Sequence, residues 1–362
     1  MNTNSNHTLA LNAAIHWLKA IGIAFVMMHH FSRSLWFSAG MDAPPINQWQ
    51  LFDNLVPHNG RAPFQASFAW LFEWFARWGY VGVHMFIAAS VIGHELSLKR
   101  PAVVWTKFML GKLRKIWLPS CLSVLVFAVL SANTNWGLVL AKLFWLSYLD
   151  PKYFFSINSP LWFLVLLFQY YAILPLIRKL DLGSWRLWLA STVLSYLTRS
   201  LLDSPIIASV HPYLAHACIL TWLPSLIIGM HLVRQHARSE LARHFSPLLQ
   251  HIQWVSLSLI FILGQFWLPV YPLADSALAL AFVMLSVSFR RISAPRWITA
   301  LSVTSFYLFL YHRPFVSSVL SRSFQKFGDL YGLWAWLNLI GLTATLALIV
   351  AIVYKRRWKQ FR

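Results

Sequence analysis

Four stretches of this 362-residue chain, 116–130, 160–177, 250–270 and 333–354, contain no Asp, Glu, Lys or Arg. About 20 apolar residues is the length an α-helix needs to cross the hydrocarbon core of a bilayer. In lipid every backbone N–H and C=O must be satisfied internally, so only helices and closed barrels span. Ten windows of this kind run along the chain, and a soluble core has no room for them. Composition agrees: 58% of residues are hydrophobic and 11% charged, where a soluble domain carries about 25% charge. The expected fold is all-α, a polytopic transmembrane helix bundle, with residues 1–362 forming one membrane domain.

The formal charge of +20 would suit a nucleic-acid partner, but its placement points elsewhere. The basic residues sit in short clusters between apolar segments: Lys99-Arg100, Lys112 to Lys115, Arg178-Lys179, Arg234 to Arg243, Arg290 to Arg296 and Lys355 to Arg362. Such clusters mark the cytoplasmic side of a membrane protein. The reading is a lipid-bilayer protein with no nucleic-acid partner. Cys121 and Cys218 both lie in apolar segments and offer neither a disulfide framework nor metal-ligand spacing. No cationic region precedes the first apolar stretch, and Phe37 to Gly40 is a poor cleavage site, so 15–36 reads as a retained helix.

The expected spans are 15–36, 74–97, 114–132, 160–178, 186–202, 212–233, 249–269, 272–289, 298–319 and 332–354. An eleventh apolar piece, 136–149, is short and bounded by Asn133, Asn135 and Asp150. Counting inward from both ends, every basic loop falls on the cytoplasmic side only if 136–149 does not span. That gives ten spans with both termini cytoplasmic, and 136–149 re-entrant or interfacial on the outer side. The longest connection, 37–73, is outer and rich in Trp; loops of that length are usually functional.

Ionisable side chains inside spans are costly and mark functional sites by default. In the first span Lys19 and His30 stand eleven residues apart. At about 100° per residue, eleven steps return to within about 20° of the same face, roughly 16 Å further along the axis. His29 points about 80° away, and Arg33 lies one turn beyond His30. One stripe therefore reads cation, histidine, cation from inside to outside. A desolvated histidine tends to lose its proton and can then act as a general base. The plainer alternative is that Lys19 snorkels to the interface and His30 bonds a neighbouring helix. His84 and His312 lie at comparable depth, and Pro314 frees a backbone carbonyl one turn earlier. No carboxylate is placed to complete a metal site from these histidines, so no metal is expected.

Five segments together resemble the acyltransferase-3 family of integral membrane acyltransferases. They are Lys19-x10-His30, Gly82 to Ser90, Lys112 to Pro119, Pro160 to Leu164 and Ser305 to Pro314, in family order across most of the chain. Two places depart from the family pattern: Lys19 stands where most members have Arg, and Val91 where the second motif ends in Gly. The resemblance implies an acyl-CoA-dependent O-acyltransferase that carries an acyl group, usually acetyl, from cytoplasmic acyl-CoA to a sugar hydroxyl of a surface glycan or exopolysaccharide. The expected location is the bacterial inner membrane. Lys19 and His30 take the family's basic and histidine positions, and Arg114 its basic position opening the third span.

The two readings combine. Acyl-CoA, the donor substrate, enters from the cytoplasm with its phosphates near Lys19, Lys112, Arg114 and Lys115. His30 serves as general base or as acyl carrier, and His312 or Tyr311 binds the thioester carbonyl or orients the acceptor. Arg33, Arg61, Glu73, Arg77 and Arg313 are the expected acceptor-binding residues on the outer side. The rival class is a transporter or flippase of a glycan or lipid-linked intermediate, for which ten spans and buried polar groups fit equally well.

Overall fold

The computed structural model describes residues 3–38, 75, 79–97, 105–130, 135–177, 185–227, 229–230, 294–315 and 341. Regular structure among the described residues is helical, with no strand. Helix α1 spans Thr3–Ser38, α2 Val81–Ser97, α3 Trp105–Leu130, α4 Trp136–Leu143 and α5 Trp162–Ile177. Helix α6 spans Trp185–Leu202, α7 Pro205–Val210, α8 Leu214–Ala217 and α9 Arg296–Phe315, with 3-10 turns at Leu146–Leu149, Ser159–Leu161 and Ile219–Trp222. The expected spans 249–269 and 272–289 lie outside the described residues, as does 332–354 apart from Gly341.

Helix α1 is the centre of the arrangement, packed along α2 and along α9. Ile15 faces Gly93, Gly22 faces Gly82 and His29 faces Gly79, so α1 and α2 run antiparallel. His16 meets Ser302 and His30 meets His312, so α1 and α9 run parallel. The α1–α2 crossing depends on absent side chains. A Cβ on Gly82 would overlap the Gly22 carbonyl oxygen, and one on Gly79 would stand 2.6 Å from the Phe25 carbonyl oxygen. Small residues that admit such backbone approach are how helices associate where lipid supplies no hydrophobic drive. The core then continues from Ile23, Val26 and Phe31 through Phe86 and Phe163 to Leu308 and Phe309.

Among the described residues, no helix is long and apolar enough to cross a membrane. Helices α2 and α5 are short, at 17 and 16 residues, and longer helices carry polar residues as well, many of which point inward. In α6, Ser191, Thr192 and Ser195 are buried while Leu189, Val193, Leu194, Leu197 and Leu201 are exposed. In α3, Ser120 and Ser123 are buried while Leu118, Leu122, Leu125 and Val129 are exposed. Water selects the opposite arrangement, with the apolar stripe toward the core.

The segment expected not to span forms α4, eight residues and so about 12 Å long. Asn135 caps it, its side chain accepting from Leu138 N at 3.0 Å. Trp145 then turns the chain with φ 60°.

Candidate active site

His30 and His312 come from the two parallel helices α1 and α9. Their ring centroids lie 5.1 Å apart, with the planes tilted by 37°. Phe31 packs edge-on against His312 at 6.3 Å, Phe309 stands 6.2 Å away, and Phe163 backs Phe309 at 5.2 Å. The pair therefore sits in an aromatic collar, and His312 is fully buried. Its Nδ1 lies 2.9 Å from the Phe309 carbonyl oxygen and 3.1 Å from that of Leu308. Carbonyl oxygens only accept, so Nδ1 must carry the proton. In the neutral ring the lone pair is then on Nε2, which is buried with no hydrogen-bond partner among the described residues. A basic nitrogen of fixed tautomer beside a second imidazole is equipped to take a proton from a hydroxyl.

His29, adjacent in sequence, does something else. It is buried, and its Nδ1–H donates to the Phe75 carbonyl at 3.2 Å. The helical phase turns the two rings to different neighbours, His29 to the approach to α2 and His30 to α9, while they stay in edge contact with centroids 5.2 Å apart.

Lys19 lies eleven residues before His30 on the same unbroken helix, about 16 Å along its axis. It lies near enough to Lys112 of α3 to repel it, as does Lys115. The Lys112 ammonium stands 5.4 Å from the centre of the Phe108 ring and 5.3 Å from that of Tyr171. Burial first, then repulsion from Lys115 and Lys19, pushes it down to about 8. On α1, His16 shares a 2.9 Å hydrogen bond with Ser302, and Trp17 packs edge-on against Trp297. Arg114 and Lys115 are exposed on α3.

Of the expected acceptor-binding residues, Arg313 is partly exposed directly after His312, and Arg33 falls within α1. Arg61, Glu73 and Arg77 lie outside the described residues. His84 shares a 2.7 Å hydrogen bond with Ser225 and packs 4.6 Å from the Trp222 ring, tying α2 to the segment after α8. Among the described residues no group of three or more His, Cys, Asp or Glu is placed to hold a metal ion.

Lys142 and Asn158 are among the buried polar residues that sequence reasoning did not single out. Lys142 of α4 is fully buried, donates to the Phe154 carbonyl at 2.9 Å and stands 4.3 Å over the Tyr148 ring. Its signal was in the sequence, as the one charge inside the apolar piece 136–149. Asn158 bridges three elements, donating to Leu310 O of α9 at 2.8 Å and to Ser123 Oγ of α3 at 3.2 Å. Nothing in its local sequence distinguishes it from an ordinary turn asparagine.

A family model described as an acyltransferase domain matches residues 12–354, nearly the whole chain. No curated protein and no solved structure shows a comparable match.

Proposed function

Because this chain belongs to the acyltransferase-3 family, we propose that it transfers an acyl group, acetyl above all, from cytoplasmic acyl-CoA to a sugar hydroxyl of a surface glycan or exopolysaccharide. Membership makes it a membrane acyltransferase; the donor, the acceptor and the chemistry are the proposal. The observation that carries it is the His30–His312 pair in its aromatic collar, one stretch of α1 away from the cations Lys19, Lys112 and Lys115.

The phosphates of acyl-CoA bind Lys19, Lys112, Arg114 and Lys115, and the pantetheine arm follows α1 over the roughly 16 Å to the pair. The acceptor enters from the opposite side, held by Arg33, Arg61, Glu73, Arg77 and Arg313. His30 takes the proton from the acceptor hydroxyl, with His312 Nε2 as the second acceptor that orients it. The oxygen attacks the thioester carbonyl; the C–O bond forms, the C–S bond breaks, and the thiolate of CoA leaves with the proton from the imidazolium. In the variant sequence His30 attacks first and holds the acyl group before the hydroxyl does. Bringing both substrates to one dry centre supplies much of the acceleration through proximity.

The location proposed is the cytoplasmic membrane of a bacterium, with ten spans and both ends cytoplasmic. The inward polar and outward apolar faces of α3 and α6 support lipid as the solvent. The antiparallel α1–α2 and parallel α1–α9 pairs have the relative senses that this topology requires.

The test is purified protein with radiolabelled acetyl-CoA and a glycan acceptor. The expected result is acceptor-dependent release of CoA and label in the glycan, abolished in His30→Ala. Full activity in that variant, or glycan export without CoA turnover, would overturn the proposal. A burst of CoA release without acceptor selects the acyl-histidine route.

A further inference from the structure

Helix α9 carries Pro314 in its last turn. Proline has no N–H, so the carbonyl four residues earlier, that of Leu310, loses its usual donor inside the helix. Leu310 is fully buried, two residues from His312. A buried carbonyl needs a partner, and here the partner comes from another element. Asn158 Nδ2 lies 2.8 Å from Leu310 O.

The second contact of the same amide fixes its orientation. Ser123 Oγ donates to the Ser120 carbonyl at 2.8 Å, so toward Asn158, 3.2 Å away, it accepts. Both neighbours of Asn158 Nδ2 are acceptors, so the NH2 end and not the carbonyl end must face them. Asn158 is buried, at 1% exposure. It also sits in the left-handed region, φ 55°, directly after Ile157 at φ 35°. Asparagine tolerates that region; a β-branched isoleucine does so only under constraint. Strain of this kind persists only where surrounding contacts impose it. The carbonyls that set the His312 tautomer, Leu308 and Phe309, belong to the same turn of α9 that Asn158 grips at Leu310.

We infer that Asn158 is a positioning residue for His312. Its amide replaces the main-chain hydrogen bond that Pro314 removes, ties α9 to Ser123 of α3, and holds the turn bearing His312 in register with His30. The inference rests on the reading of His30 and His312 as the reacting pair.

Two substitutions test it as a cycle on the full-length protein in detergent. Asn158→Gly keeps the left-handed backbone accessible and removes the amide, with some added backbone freedom that Pro314→Ala cannot offset. Pro314→Ala returns an N–H that can reach Leu310 O. Asn158→Gly is expected to lower kcat on the order of tenfold, the scale of one orphaned buried acceptor, with KM for acetyl-CoA unchanged. Pro314→Ala alone stays within about twofold, and the double variant recovers most of both kcat and melting temperature. Wild-type kcat in Asn158→Gly, or a loss that Pro314→Ala leaves in place, overturns the inference. Melting shifts that simply add in the double variant overturn it whatever the activity. A wild-type protein that transfers no acyl group instead sinks the proposed reaction, and the coupled melting shifts still report on the hydrogen bond.

Discussion

An imidazole that donates through Nδ1 to two carbonyls has only Nε2 left for chemistry, and in His312 that nitrogen is buried. His312→Phe keeps a ring but offers the hydroxyl no acceptor beside the base His30. It is expected to lower kcat on the order of tenfold, the scale of one lost buried hydrogen bond, with KM for acetyl-CoA little changed in steady-state assays. Lys112 gives a pH signature. Held down to about 8, it is charged below that pH and neutral above it. Donor affinity should therefore be flat on the acid side and fall as pH rises through about 8; Lys112→Arg, which stays charged, should flatten the profile of KM against pH. The stripe of Lys19 and His30 was legible because helical phase is a local property, readable from spacing alone. His312 was placed with His30 by depth and by the resemblance; their ring contact was not readable, since 282 residues of chain separate them and no periodicity reports it. Asn158 was illegible for the same reason: its role exists only opposite the proline of another helix.

Helices announce themselves where lipid meets them, and less clearly where it does not. Hydropathy places the third span at 114–132, yet α3 begins at Trp105, because Lys107, Lys112, Arg114 and Lys115 end the apolar signal without ending the helix. The α1–α2 crossing depends on Gly82, so Gly82→Leu should force the helices apart at the Gly22 carbonyl. The expected outcome is loss of a monodisperse peak in detergent size-exclusion chromatography, while Gly111→Leu, with open space at its Cβ, elutes as wild type. Helix α4 yields a stability prediction through Lys142, which burial pushes from 10.5 to about 7. Between those values the unfolded chain holds a proton that the folded one lacks, so stability rises with pH across that window. Melting temperature should climb from about pH 7 toward pH 9.5, and Lys142→Met should flatten the climb.

At the scale of the whole molecule, the outward leucines and inward hydroxyls of α3 and α6 explain why composition spoke more clearly than any single helix. The chain is apolar in sum, but α3 and α6 keep buried hydroxyls for their neighbours, and those residues lower the helices' own hydropathy. A charge on the outward face should be costly in lipid, about 2.5–3.5 kcal/mol at mid-membrane. Leu197→Asp is expected to reduce the membrane-inserted fraction on carbonate extraction, whereas Ser200→Asp, exposed near the end of α6, should leave it unchanged. The expected spans 249–269, 272–289 and 332–354 were legible only as apolar length, and they lie outside the described residues apart from Gly341. The parallel pairing of α1 with α9 has a consequence in time. A ribosome makes His30 early and His312 late, so the two imidazoles meet only after most of the chain has entered the membrane. A half-made chain therefore holds Lys19 and His30 without the second ring, and the pair forms only once α9 has packed along α1.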